Sequence, residues 1–202
     1  YVTVDAYQIE IDDRIVLSSN LNIAGNQAAQ ALLASLGITG VTSARYFNNA
    51  IDTRTRGVDV VGSYSIPLDA STLGLTASYN YNKTEVTRIA PNPAALDALG
   101  ANLQRMGRDE RGRIEEGAPR DKFAFTGDWS LEHWGFNGGI TRYGRFTNRH
   151  ATVPAQDQTF DASWTVDLAA SYRPTRNWTV TVGADNVLDD YPQQTIFANS
   201  TF

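Results

Sequence analysis

The stretch SWTVDLAASYRPTRNWTVTVGADNVL, Ser163–Leu188, alternates apolar and polar residues on both sides of a turn. Trp164, Val166, Leu168, Ala170 and Tyr172 share one parity, and Thr165, Asp167, Ala169, Ser171 and Arg173 the other. Beyond RPTRN, Trp178, Val180, Val182 and Ala184 alternate with Thr179, Thr181, Gly183 and Asp185. A period of two marks a strand with one apolar face. What meets that face is either a protein core or lipid, and the rest of the chain decides which.

The same period recurs. Leu73, Leu75, Ala77, Tyr79 and Tyr81 oppose Thr76, Ser78, Asn80 and Asn82. Val58, Val60, Tyr64 and Ile66 oppose Asp59, Ser63 and Ser65, with Val61 breaking the polar side. Phe123, Phe125, Trp129 and Leu131 oppose Lys122, Thr126, Asp128 and Ser130, and Trp134, Phe136 and Ile140 oppose Asn137, Gly139 and Thr141. In the first segment Val2, Val4 and Ala6 have one parity and Tyr7, Ile9 and Ile11 the other, which a bulge near Ala6 would reconcile. The spacing predicts strands over about 2–17, 46–66, 72–87, 120–132, 134–149, 160–173 and 177–188.

The connections are unequal. Ile66 to Thr72, Glu132 to Trp134 and Arg173 to Asn177 are tight turns, while roughly 18–45, 88–119 and 150–159 are long. With antiparallel neighbours, all short turns fall at one end and all long loops at the other, as in outer-membrane barrels. NQAAQALLASLG places Ala28, Ala29, Leu32, Leu33 and Leu36 on one helical face with Gly37 as a stop, and NPAALDALGANL is a shorter helical piece.

Aromatic positions point to lipid. Tyr64, Trp134, Tyr172 and Trp178 lie on the apolar face beside the short turns, Tyr79 and Tyr81 toward the long loops, and Trp129 and Trp164 on the same face toward strand ends. Val, Leu and Ala hold the middles. Amphipathic rings at both headgroup levels make a membrane girdle, whereas a sandwich core puts its bulk at strand centres. From Phe160 to Tyr172 the strand climbs ~40 Å, or ~30 Å of height at a 40° tilt, enough for an apolar band of ~25 Å. The opposite face, with Asp59, Asn80, Asp128, Asn137, Asp167, Thr181 and Asp185, then lines a wet lumen. Arg142 shares parity with Trp134 and Ile140; it either snorkels to the upper headgroups or is turned inward by a bulge.

Bulk numbers set the outer limits. The 202 residues carry a net charge of −5, which argues against a nucleic-acid partner. There is no cysteine, so disulfides and thiolate metal sites are out. No run approaches the ~20 apolar residues of a spanning helix. The chain opens inside a strand, without an initiator methionine, and reads as an internal piece of a longer protein.

These residues resemble a known family. FNNAIDTRTRGVDVVGSYSI (47–66) looks like the strand descending from a large extracellular loop in TonB-dependent outer-membrane receptors, and YQIEIDDRIVLSSNL like the ascending strand before it. LTASYNYNKTEVT, GAPRDKFAFTGDWSL and GITRYGRFTN are similar to the next three strands, and GADNVLDDYP to the penultimate one. The resemblance implies an all-β, antiparallel up-and-down transmembrane barrel of about 22 strands, of which residues 1–202 are the C-terminal portion, roughly strands 15 to 21. It implies uptake of a scarce nutrient, a ferric siderophore or similar iron chelate, haem or cobalamin, energised through TonB. The plug domain, the TonB-contacting segment and the earlier strands lie outside this sequence, and ANSTF at the end reads as a truncation point in a loop. Outer-membrane lipid and lipopolysaccharide are the implied surroundings, and the lumen-facing set would hydrogen-bond the plug.

Chemistry beyond transport finds little support. His133 sits in a short turn and His150 in a loop, no nucleophile elbow is present, and neighbouring carboxylates such as Glu115–Glu116 would diverge on a strand. No catalytic residue, metal site or cofactor is implied; Asp185, Asp189 and Asp190 match no Ca²⁺ loop. LQRMGRDERGRIEEGAPR interleaves Arg105, Arg108, Arg111, Arg113 and Arg120 with four carboxylates. It reads either as a lid capturing an anionic chelate or, more plainly, as a mutually paired solvated loop. Tyr46, Phe47, Tyr143 and Phe146 near the outer rim could stack on a ligand or simply pack. Two other classes fit the pattern: a passive porin or autotransporter barrel, and a soluble β-sandwich binding or adhesion module.

Overall fold

The computed structural model describes residues 1–100 and 104–196. The terminal ANSTF and the end of the NPAALDALGANL piece lie outside them. In chain order the strands are β1 (Val2–Leu17), β2 (Leu21–Asn22), β3 (Ser43–Ala44), β4 (Phe47–Leu68), β5 (Ser71–Ile89), β6 (Asp121–Leu131), β7 (Trp134–Tyr143), β8 (Phe146–Asn148), β9 (Gln158–Phe160), β10 (Ser163–Thr175) and β11 (Trp178–Ala184). The helices are α1 (Gln27–Ser35), α2 (Ala94–Asp97) and α3 (Arg108–Glu115).

Seven strands form one sheet in the order β1-β4-β5-β6-β7-β10-β11, every neighbour antiparallel. β2–β3 and β8–β9 are separate two-stranded ribbons in the long connections. The sheet is a meander: each strand pairs with the next wall strand in sequence.

Register aligns the apolar parity of every strand on one face. Tyr64, Leu75, Gly127, Gly138, Leu168 and Ala184 are successive partners in one row across the sheet. Gly62, Ala77, Phe125, Ile140 and Val166 form the row beside it. Between these rows, on the opposite face, run Ser63, Thr76, Thr126, Gly139 and Asp167.

No described residue packs over the apolar face. Tyr64 is 69% exposed, Leu168 52% and Val182 73%. The buried apolar residues among those described are Leu21, Ile23, Ala29, Ala50, Ile51, Val86, Met106 and Phe160, all in the long connections or at the strand ends that meet them. A sandwich stacks a second sheet about 10 Å away over its apolar face; here the core sits at one rim and the wall faces outward. No helix among the described residues is long and apolar enough to cross a membrane, so any crossing is by strands.

Four sequence expectations change. The bulge expected near Ala6 does not exist: β1 and β4 pair without a break from Val2 to Ile11, and the first register shift follows Ile11. Tyr7, Ile9 and Ile11 therefore keep the parity of the polar face. Strand β7 stops at Tyr143, not near 149: Gly144 N–H still donates to Asp121 O at 2.8 Å, with no room for a Cβ beside Asp121, and the chain then pairs separately as β8 with β9. Strand β10 begins at Ser163. Strand β11 ends at Ala184, not 188, because Asn186 and Asp189 adopt left-handed φ values of 49° and 54°. Arg142 lies in unbroken register on both sides, so no bulge turns it inward. It ion-pairs with Asp121 on the same face, and its guanidinium lies 6.0 Å from the Trp164 ring centroid.

Candidate functional site

The wall's polar face carries paired carboxylates and amides. Asn80 donates to Asp59, and Asn82 Nδ2 donates to Asn80 Oδ1 at 3.1 Å. Asn137 Nδ2 donates to Asp128 Oδ1 at 2.6 Å, and the Asn186 backbone N–H to Asp167 Oδ1 at 2.7 Å. Thr181 lies across from Ser171, and Asp185 just past the end of β11. The bonds to Asp59, Asp128 and Asp167 leave carboxylate lone pairs free, beside amide and hydroxyl donors on the same face.

Opposite it, the aromatics cluster at two heights. Near the short turns Trp134 packs on Tyr172 at 4.5 Å between ring centroids, and Trp129 on Phe136 at 5.8 Å. Tyr64 and Trp178 lie toward the same end. Tyr79, Tyr81 and Trp164 lie toward the long loops. From Trp134 to Arg142 the strand climbs ~27 Å, or ~21 Å of height at a 40° tilt.

The long connections fold on themselves. Asn26 caps α1 by accepting from Ala29 N–H at 3.0 Å. At its C-terminus Gly37 at φ 78° permits paired closing bonds from Ile38 N–H to Leu33 O and Gly37 N–H to Ala34 O. Of the apolar face expected there, Ala29 and Leu33 pack against Leu21 and Ile23, while Leu32 and Leu36 stay exposed. Tyr46 joins that cluster, and Phe146 stacks on buried Phe160 at 4.6 Å, so both are packing residues. Phe47 is exposed.

Helix α3 was not legible in the sequence. Asp109 and Glu110 in its first turn and Arg113 in its last suit the helix dipole, but its apolar content is a single Ile114, which seats against the Ala50–Ile51–Val86–Met106 cluster. Its arginines are engaged. Arg108 grips Asp157 through both terminal nitrogens, Arg111 pairs with Glu115 at 3.1 Å, and Arg113 with Glu110 at 3.3 Å. Arg45, from the connection after β1, also pairs with Glu110, and Arg149 and Arg120 with Glu116. Burial pushes the Glu110 carboxyl up, against the pull of Arg113 and Arg45. Arg105 stands apart: its Nε is buried without a hydrogen-bond partner among the described residues. Tyr143 faces the lumenal side, with Lys122 Nζ 5.0 Å from its ring centroid.

Between the connections lies a recess of about 600 Å³, lined by Asn20, Asn22, Gln104, Arg108, Asp109 and Thr152 among others. Ser19 builds its floor, accepting from Gly107 N–H at 2.7 Å and donating to Asp109 at 3.0 Å. Of the residues singled out from sequence, this recess takes in Arg108 alone. The asparagines and Ser19 went unnoticed because nothing local marks them; the fold of three connections brings them together. Among the described residues no His, Asp and Glu side chains cluster to hold a metal. His150 Nδ1 instead accepts from the Thr152 and Val153 amides at 3.2 and 3.0 Å.

The Arg108–Asp157 contact gives a pH test. The hydrogen bond from Arg108 holds the Asp157 carboxyl down at about 2. A depressed carboxyl stabilises fully above its ordinary value of 3.8 and loses that contribution as pH falls through about 2. His150 N–H, which donates to Asp157 Oδ1 at 2.9 Å, is expected to stay protected from exchange at pH 4 and lose protection below about 2. Asp157→Asn should abolish that transition; an unchanged acid profile would contradict the pairing.

Comparison with known proteins agrees with this geometry. No curated protein matches the chain. Among solved structures, the ferripyoverdine receptor of the Pseudomonas aeruginosa outer membrane, crystallised bound to ferripyoverdine, has a TM-score of 0.53 at 16% identity. The match covers 94% of this chain and 21% of that one, a likeness of fold to a fifth of a much longer receptor. The model of the TonB-dependent receptor-like β-barrel matches residues 1–187. The sheet is thus a section of an antiparallel transmembrane barrel in the bacterial outer membrane, and the chain belongs to the TonB-dependent receptor β-barrel family.

Proposed function

We propose that this chain supplies barrel wall and extracellular loops to an active receptor for a scarce nutrient, a ferric siderophore or similar iron chelate before haem or cobalamin, energised through TonB. The observation that carries this reading is the recess built by the long connections above a wall whose inner face carries paired amides and carboxylates. A polar inner face suits a passive pore as well; the recess is what favours a receptor. In this reading residues 1–202 are the C-terminal part of the barrel, and Asp59, Asn80, Asp128, Asn137, Asp167, Thr181 and Asp185 hydrogen-bond a plug that precedes the barrel. Tyr64, Trp129, Trp134, Tyr172 and Trp178 sit at the inner headgroups, and Tyr79, Tyr81 and Trp164 at the outer ones. Arg108, Arg111 and Arg113 order the rim through their carboxylates, leaving Arg105 and Tyr143 as the groups with most freedom to meet an anionic, aromatic chelate. No catalytic step is assigned.

The test is uptake by cells expressing the whole receptor that contains this segment, with iron-55 siderophores, haem and radiolabelled cobalamin offered in turn. Saturable uptake of one iron chelate, lost on deletion of TonB or on adding a protonophore, is the expected result. Flux of small solutes that ignores TonB would identify a passive pore instead.

A further inference from the structure

The recess between the long connections has a chemistry that narrows what it can hold. Its volume of about 600 Å³ lies in the range of small-molecule sites. Asn20 and Asn22 reach it from the connection after β1, Gln104 and Asp109 from the approach to α3 and its first turn, and Thr152 from the connection after β8. No described residue of the lining is aromatic, and its aliphatic side chains are the methyls of Ala24 and Ala151. The Asn20 and Gln104 amides and the Thr152 hydroxyl have no hydrogen-bond partner among the described residues. Asn22 commits only its Oδ1, which accepts from Ala24 N–H at 3.0 Å, and its Nδ2 is open. The recess therefore offers donors and acceptors in roughly equal measure.

Its charge has the wrong sign for an anion. The cation in the lining, Arg108, gives both terminal nitrogens to Asp157 and one of them also to His150 O at 2.9 Å. Asp109 has no cation within ion-pair distance among the described residues, and its Oδ1 accepts from Ser19 Oγ at 3.0 Å. The positive end of α3, which would draw an anion, already has Asp109 and Glu110 in its own first turn. A carboxylate without a cation works against negatively charged ligands and leaves uncharged ones alone.

We propose that the recess binds an uncharged iron chelate, ferric ion wrapped by hydroxamates, and that Asp109 excludes anionic chelates from it. Three hydroxamates balance the charge of ferric ion, and their complex presents amide N–H and carbonyl groups to its surroundings. Asn20, Asn22, Gln104 and Thr152 pair with those groups, and Asp109 accepts from an N–H. Three catecholates leave the complex strongly negative and aromatic, with neither a free cation nor a ring in the recess to meet it. Haem, flat and largely apolar, finds no matching surface there either. The proposal rests on the uptake reading and narrows it: an anionic chelate is left to Arg105 and Tyr143, neither of which lines the recess.

The test uses cells whose only iron-chelate receptor is the whole receptor carrying this segment. They are offered iron-55 as ferrichrome, an uncharged trihydroxamate complex, or as ferric enterobactin, an anionic tricatecholate. Saturable, TonB-dependent uptake of ferrichrome is expected, with half-saturation at a concentration at least about tenfold lower than for ferric enterobactin. Asn20→Ala/Asn22→Ala should raise the half-saturation concentration for ferrichrome about tenfold. Asp109→Asn, which keeps an acceptor for Ser19 and removes the charge, should lower that for ferric enterobactin about tenfold. TonB-dependent uptake that favours ferric enterobactin, or that is unmoved by both variants, overturns the proposal and leaves the uptake reading standing. Absence of TonB-dependent uptake of every nutrient offered, haem and cobalamin included, ends both. Should the double variant fail to show the heat-modifiable mobility of a folded barrel, Gln104→Ala alone decides: about a threefold rise for ferrichrome is expected, and no change overturns the proposal.

Discussion

Phe125→Arg in the whole receptor is expected to cost about 2–4 kcal/mol of folding stability in lipid bilayers, whereas Thr126→Arg, one residue on, should cost under about 1 kcal/mol. Phe125 sits mid-row between Ala77 and Ile140 on the apolar face, and Thr126 between Thr76 and Gly139 on the polar one. At the belt's mid-height an arginine cannot reach either headgroup level without distorting the wall, and the hydrocarbon offers it no partner. On the inner face, beside Gly139, the same side chain has room, water and carboxylate acceptors. Equilibrium unfolding of receptor refolded into vesicles measures both. Comparable losses in the two variants would mean that the faces meet the same medium, and the barrel reading would fall.

That contrast rests on a pattern plain in the sequence from Leu73 to Ala184, because within the belt apolar means outward. Strand β1 shows where the rule stops. Ile9 and Ile11 are apolar yet face inward, across from Thr55 and Thr53, while Gln8 and Glu10 face outward. From Val2 to Ile11 the parity does not change; the outer medium does. On the proposed placement of the belt, the outside above Ala6 is headgroup and water, which favours Gln8 and Glu10. Inside the rim Tyr7 lies across Gly57, where a Cβ would collide with its ring. A sequence read with one rule from end to end takes this reversal for a bulge. The ends of β7 and β11 were hidden for another reason. A left-handed turn at Asn186 ends β11, and after Tyr143 the chain changes partner from the wall to β9; neither disturbs the alternation.

The rim was legible only in composition. An arginine-rich loop with interleaved carboxylates was evident, and so was the choice between capturing a ligand and pairing internally. Which carboxylate meets which arginine was not, because the partners come from three connections: Glu110 takes Arg45, Arg108 takes Asp157, and Glu116 takes Arg149. An anionic ligand that recruited these arginines would have to displace carboxylates already in contact. Arg105, with one buried nitrogen unmatched, is the exception.

Ile51→Ala is expected to unseat this rim while leaving the wall intact. Ile51 is fully buried, among Ala50, Val86 and Met106, with Val16 and Ile114 packed alongside. Ile114 is the one apolar anchor of α3, and Val86 N–H donates to Glu115 Oε1 at 3.1 Å at the same junction. Removing the branched side chain should cost about 2–4 kcal/mol in the cavity it leaves. The surface ion pairs around α3 are worth too little to compensate. Hydrogen exchange at Arg108–Glu115 should then accelerate about 30- to 1,000-fold, with the amides of β6 and β7 unaffected. The belt draws its stability from lipid on one side and from the ladders between neighbouring strands, so a rim cavity does not reach it. The rim has only its own small core, folded by water as in a soluble protein. Exchange that rose equally in β6, β7 and α3 would show the two to be one cooperative unit, and the arginine loop could not then open without the wall.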